Sequence, residues 1–263
     1  MKKKKWILYI VVALLVVLLC LLFVTIFGFE KDSKPTEEEL PEVTTDLIDQ
    51  LYSYLPLNEM GLHTMYTGYY NTINNISNDI ILSMIYEYII NNDEFKLEST
   101  SIDEMLSSQV ISNASDITPL YKVKVSEINA IFPKIFGSEA KFKIADFRYD
   151  YKTLAKVDSN KEYFYIYNNT PLNTDKNDIV FKSITKYAVT ENNRTIEIYD
   201  YYLKCDLNTN NCYNDEEKRL LNSSIKYTEN FDINNYQDKL MIYKHTFKYE
   251  DGYYYWFSSD IAD

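Results

Sequence analysis

The apolar and polar positions divide this chain of 263 residues into three stretches with different periods. From Trp6 to Phe29 no position is charged, and a bilayer core takes about 20 apolar residues to cross as a helix. Lys2, Lys3, Lys4 and Lys5 precede this run, and Glu30, Lys31 and Asp32 follow it. Positive charge stays on the cytoplasmic side of a membrane. Residues 1–5 therefore read as a cytoplasmic tail, 6–29 as a transmembrane signal anchor, and the rest as extracytoplasmic. A cleaved signal peptide has an apolar segment of about 7 to 15 residues ending in a small-x-small site. This run is longer and holds no such site between Leu14 and Glu30. Cys20 follows Val17, Leu18 and Leu19 rather than the small residue a lipid-attachment site wants, so it reads as an apolar residue of the membrane helix. The predicted location is the cell membrane, single-pass, with the bilayer as partner of residues 6–29.

Residues 30–45, with Pro35, Glu37, Glu38, Glu39 and Pro41, have no periodicity and read as an acidic linker. A short helix is predicted from Asp46, with Leu47, Ile48, Leu51 and Leu55 on one side and an end before Pro56. Leu57 to Asn75 reads as aromatic and irregular, with Gly61 and Gly68 as breakers. Ser77 can cap the next helix, in which Ile81, Met84, Ile85, Tyr88 and Ile89 follow the i, i+3, i+4, i+7, i+8 rule up to Asn91-Asn92. Ile102 to Leu106 adds one turn, and Leu120 to Val125 a short strand. A helix capped by Ser126 then carries Ile128, Ile131, Phe132, Ile135 and Phe136, with Gly137 at its C′ position. Pro133 inside it removes a hydrogen bond and should kink or split it.

From about Lys141 the period becomes that of strands. Asp251-Gly252 predicts a type I′ hairpin pairing Glu250 with Tyr253, Tyr249 with Tyr254 and Phe247 with Trp256, which sets His245 opposite Ser258. Asn192-Asn193 predicts a second, pairing Glu191 with Arg194, Thr190 with Thr195 and Val189 with Ile196. The fold class is therefore α+β: an N-terminal transmembrane helix, then helices packed on one face of an antiparallel β-meander. The domain spans 46–263, helix-rich over 46–137 and strand-rich over 138–263.

Four segments, NDIILSMIYEYI, KVSEINAIFPKIFG, TIEIYDYYLKC and YKHTFKYEDGYYYWFSSD, carry a resemblance. They are similar to those of an uncharacterised family of small membrane-anchored proteins from AT-rich Firmicutes and Mollicutes-like gut bacteria. The resemblance spans most of the extracytoplasmic part and rests on packing and turn motifs. It implies an architecture and a membrane location, and it carries over no activity and no catalytic residue. Members usually lack a proline at the place of Pro133, so the helix there is expected to differ.

Charge narrows the partners. Removing the four leading lysines from a net charge of −12 leaves −16 outside the membrane, which repels nucleic acid and anionic lipid headgroups and favours cationic partners or metal ions. Tyr 26 and Phe 13 against Gly 5 is aromatic-rich, but Asn, Lys, Ile and Tyr are all abundant, as an AT-rich genome produces. The Asn-x-Ser/Thr sequons at Asn75, Asn113, Asn168, Asn193 and Asn222 follow from the same bias in a chain read as bacterial.

Candidate chemistry is sparse. No HExxH, GxSxG, P-loop or GxGxxG occurs, and neither Cys205 nor Cys212 sits in a thiol-nucleophile signature. His63 and His245 are the only histidines, and His245 reads as a hydrogen-bonded core or rim residue. Cys205 and Cys212 are expected to form a disulfide on the oxidising side of the membrane, pinning a β-hairpin loop that a short helix follows from Asn214 to Leu221; two free thiols are the alternative. Asp206, Asn208 and Asn210 match positions 1, 3 and 5 of an EF-hand loop and Glu217 position 12, with Asn211 in place of the usual glycine. Calcium is therefore the alternative to no cofactor, although the entering segment is strand-like where an EF-hand has a helix. On the last strand Tyr253, Tyr255 and Phe257 share one face with Thr246 and Lys248 and form a candidate binding surface, unless the helix after Ser126 covers them. The expected function is a membrane-anchored, extracytoplasmic, non-enzymatic binding or structural module that contacts another envelope protein or a glycan. A calcium-binding envelope domain and a cell-wall-active hydrolase with dispersed carboxylates are the alternatives.

Overall fold

Both hairpins form, in the predicted register next to their turns. Asp251 and Gly252 take φ of 50° and 93°, and Asn192 and Asn193 take 55° and 65°, so each two-residue turn has the positive φ that matches strand twist. Glu250 faces Tyr253, Tyr249 faces Tyr254 and Phe247 faces Trp256; Thr190 faces Thr195 and Val189 faces Ile196. The computed structural model describes residues 40–67, 69–92, 95–101, 103–104, 121–149, 152–167, 177–190, 192–214 and 225–262. The tail, the anchor and most of the linker lie outside these residues, as do Gly68, Glu191, Glu217, most of the turn at Ile102 to Leu106, nearly all of the helix expected from Asn214, and the sequons at Asn113, Asn168 and Asn222. Among the described residues no helix is long and apolar enough to cross a membrane.

The elements in chain order are α1 (Thr45–Ser53), α2 (Glu59–Met65), β1 (Asn71–Thr72), α3 (Asn78–Asn91), β2 (Glu98–Ser99), β3 (Tyr121–Lys124), α4 (Val125–Phe136), β4 (Phe147–Tyr149), β5 (Lys152–Val157), β6 (Tyr163–Ile166), β7 (Asp178–Thr190), β8 (Thr195–Asp206), β9 (Asn211–Tyr213), a 3-10 helix (Ile233–Lys239), β10 (Ile242–Glu250) and β11 (Tyr253–Ile261). The fold is α+β with antiparallel pairing throughout the described strands. The predicted single meander is instead two sheets, one in the order β1-β11-β10-β8-β7 with β9 added to β8, the other β2-β3-β6-β5-β4. Each contains a meander, β7-β8-β10-β11 and β4-β5-β6, but strands from the helix-rich half complete both. β1 pairs with β11, and β3 pairs with β6.

Local chemistry explains where the helices begin. The Thr44 hydroxyl accepts from the Leu47 N–H at 3.2 Å, and Ser77 caps α3 as predicted. α2 departs from the expected irregular segment. Asn58 caps it by accepting from the Gly61 N–H at 2.9 Å, and Gly61 sits inside the helix because Pro56 packs against it. A Cβ there would lie 2.3 Å from the Pro56 Cβ, so glycine marks a close approach rather than a break. α4 starts one residue early, at Val125, with no side-chain cap, so Ser126 is its second residue. It also runs unsplit through Pro133, which lacks only the N–H that would have met the Asn129 carbonyl.

One core unites the helices with both sheets, through residues such as Leu51, Leu62, Ile85, Phe136, Phe164, Ile198 and Trp256. The opposite face of β8, with Tyr201, Leu203 and Cys205, is covered by Ile225, Ile233 and Leu240. β8 is thus buried on both faces, which is why its burial does not alternate. Its inward series Ile196, Ile198, Tyr202 includes one acid, Asp200.

Candidate functional site

Three polar side chains meet inside the core from three adjacent strands. Asp200 on β8, His245 on β10 and Ser259 on β11 are each 0% exposed. His245 stands opposite Ser259 on one side and Ile198 on the other, with Asp200 two positions along β8. The register slips at Thr246/Phe247, so Ser259 rather than the expected Ser258 faces His245. His245 Nε2 lies 3.0 Å from Asp200 Oδ1, and Nδ1 lies 2.7 Å from Ser259 Oγ. Acid, imidazole and hydroxyl in series are the residue types of acyl-transfer catalysis.

Their surroundings give the series another character. Ser259 Oγ also accepts from Trp256 Nε1 at 3.0 Å and lies 3.0 Å from Met65 Sδ. Asp200 Oδ2 accepts from the hydroxyls of Tyr66 at 2.6 Å and Tyr52 at 2.7 Å. In the tautomer with its proton on Nε2, the imidazole donates to Asp200 and accepts from Ser259, and each polar atom of the set is partnered. Burial, with the Asp200 charge, holds both phenols above their ordinary value. Tyr66 is stacked on Tyr202 at 4.4 Å and meets Tyr243 and His245 edge-on, so aromatic rings close the network. A nucleophile must reach its substrate, and this hydroxyl faces a tryptophan and a methionine.

Tyr52 links the network to a cleft of about 450 Å³, whose walls include Leu55, Met84, Tyr88, Glu87 and Lys182. Glu87 is buried and accepts from the N–H groups of Leu57 at 2.8 Å and Asn58 at 3.0 Å and from the Asn58 amide, tying α3 to the start of α2. Burial pushes its carboxyl up, against the pull of those hydrogen bonds and of Lys182. Lys182, on β7, donates to the Pro56 carbonyl at 3.3 Å and holds its ammonium 5.0 Å from the Tyr52 ring centre. Burial pushes that ammonium below the ordinary lysine value, although Asp200 and Glu87 pull it up.

The residues singled out in the sequence lie elsewhere. Cys205 and Cys212 form a disulfide between directly paired positions of β8 and β9, and both are buried. It pins the hairpin in which Asp206, Asn208 and Asn210 sit. There Asp206 Oδ1 accepts from the N–H groups of Asn208 at 2.7 Å and Thr209 at 3.3 Å, closing an Asx turn. The left-handed residue is Asn210, with φ 56°, whereas the EF-hand alignment needs it at Asn211; Asn211 pairs with Asp206 in the ladder and accepts from Lys226. Glu217 lies outside the described residues. Among the described residues no group of three or more His, Cys, Asp or Glu side chains is placed to hold a metal ion. His63 is exposed on α2.

Tyr253, Tyr255 and Phe257 line one side of β11 and have different surroundings. Tyr253 is 47% exposed, with the Lys134 ammonium 4.8 Å from its ring centre. Tyr255 is partly covered by the end of α4. Gly137 there has φ 85°, and a Cβ on it would come within 2.8 Å of the Tyr255 ring. Phe257 is half-buried, with the Lys248 ammonium 3.5 Å from its ring centre.

The network and the cleft were legible only in part. Asp200 occupies an inward position of an otherwise apolar series, and Glu87 is the one charge in the apolar run Ile80–Ile90, so both announce buried acids. Lys182 gives no such signal, because it lies in a strand of mixed character. Compared with protein-family models, curated proteins and solved structures, the chain matches none.

Proposed function

We propose that this chain is a membrane-anchored, extracytoplasmic, non-enzymatic binding module, held by residues 6–29 and contacting another envelope protein or a glycan. The observation that carries the non-enzymatic part is the closure of the Asp200–His245–Ser259 series, whose hydroxyl is 0% exposed and whose acceptors are all engaged within the core. The uncharged run with lysines before it and acids after it supports the anchor and its orientation, and the family resemblance supports the same location. The contact surface is the outer side of β11, where Tyr253 is exposed and lysines stand beside Tyr253 and Phe257. Aromatic rings and ammonium groups together suit a sugar or a polar protein surface.

Two measurements test this reading. Reporter fusions at the C-terminus should show alkaline phosphatase activity and no cytoplasmic fluorescence; the reverse pattern refutes the orientation. A photoreactive phenylalanine analogue at Tyr253 in the full-length protein should capture one specific envelope component in cells. The same analogue at Tyr187, equally exposed but on β7, should not. Equal capture from both positions, or none from Tyr253, refutes the surface.

A further inference from the structure

The cleft bounded by Tyr52, Leu55, Met84, Glu87, Tyr88 and Lys182 goes beyond the surface contacts of that module and does not depend on them. Its volume of about 450 Å³ falls within the range of small-ligand sites, about 300 to 1,000 Å³. Its walls supply apolar surface and rings: Tyr54 and Tyr88 meet edge-on at 5.8 Å, and Leu55 and Met84 are buried beside them.

The polar groups of the cleft are unequally matched. Glu87 spends its carboxylate on three N–H donors from Leu57 and Asn58, so its role is structural. Asp200 accepts from two phenols and His245. Lys182 has three N–H donors and one hydrogen-bond acceptor, the Pro56 carbonyl, and among the described residues no carboxylate lies within ion-pairing distance of it. A partly buried ammonium held by one protein carbonyl and one phenol ring has donor capacity left for a charged acceptor on a ligand in the cleft.

We infer that the cleft is a binding site for a small organic carboxylate with an apolar, ring-sized body, whose carboxylate accepts from Lys182 while its body lies against Leu55, Met84 and Tyr88. A neutral analogue keeps the apolar contacts and loses the charge-assisted pair. A cationic analogue meets Lys182 with like charge.

The test uses the full-length chain in lipid nanodiscs, with empty nanodiscs as control, and three probes followed by fluorine NMR: 3-(4-fluorophenyl)propionate, the matching alcohol and the matching amine. Saturable binding of the propionate, at least about tenfold tighter than that of the alcohol or the amine, is expected from one charge-assisted hydrogen bond to a partly buried group. Lys182→Met should weaken propionate binding about tenfold or more, and Lys182→Arg should retain part of it. Asn91→Trp, at the exposed rim of the cleft, should weaken binding by occupying the entrance while leaving the lysine in place. The inference is overturned by the absence of saturable propionate binding, by equal binding of the three probes, by preference for the amine, or by binding that survives Lys182→Met.

Discussion

The Asp200 network and the Lys182 cleft share one side chain, Tyr52, yet they treat charge in opposite ways. In the network a fully buried carboxylate receives three donors, the imidazole is bonded at both nitrogens, and the serine oxygen is held by histidine and tryptophan. In the cleft a partly buried ammonium has one carbonyl and the face of the Tyr52 ring. A polar group removed from water is costly unless it is paired, so complete pairing marks an element of structure and incomplete pairing at an opening marks a place for something else. Residue type alone would have reversed the assignment, because the network holds the aspartate, histidine and serine that suggest catalysis.

The contrast can be broken by mutation, and the largest effect belongs to the centre of the network. Asp200→Ala leaves two phenols and an imidazole without their acceptor inside the core and should destabilise the fold by about 3–5 kcal/mol. Denaturant unfolding followed by near-ultraviolet circular dichroism measures it, and a loss below about 1 kcal/mol would mean the network does little for stability. Ser259→Ala should cost about 1–3 kcal/mol, since the Trp256 N–H and one imidazole nitrogen then lack a partner.

Lys182→Met tests the cleft through its pH dependence. Burial lowers the lysine value in the folded chain, so the unfolded chain holds the extra proton between that value and the ordinary 10.5. The contribution of Lys182 to wild-type stability should therefore rise across that window, from the lowered value up to the ordinary one. The methionine variant has no such proton, so its stability relative to wild type should be highest below the lowered value and decline as pH rises through the window. Melting curves at several pH values read this directly, and a constant difference would show that the ammonium is not penalised by burial. Tyr253→Ser on the outer side of β11 should stay within about 0.5 kcal/mol of wild type, because its ring is exposed; a larger loss would make Tyr253 part of the core rather than of a contact surface.

Much of the fold was legible because it is encoded at short range. Asp251-Gly252 and Asn192-Asn193 specify turns, and a turn sets the register of the strands it joins. Ser77 and the apolar spacing after it specify α3. What escaped depends on distant partners. The division into two sheets rests on β3 meeting β6 across about forty residues of chain, for which turn residues give no signal. α2 was hidden because Gly61, normally a helix breaker, is required by its contact with Pro56. The candidate site suffered in the same way. Asp200 and His245 can be placed on inward positions, but their contact needs the β8–β10 register, and the contact with Ser259 needs the slip at Thr246/Phe247. The hairpin pinned by Cys205–Cys212 was readable from the seven-residue spacing of the cysteines along a strand and its return.

We propose that Asp200, His245 and Ser259 hold the fold together rather than perform chemistry. The most direct test treats the native full-length protein in nanodiscs with an alkyl fluorophosphonate, which reacts with activated, accessible serines, and reads the intact mass and the modified peptide. No adduct on Ser259 is expected. A stoichiometric adduct on Ser259 that disappears in His245→Ala would contradict it.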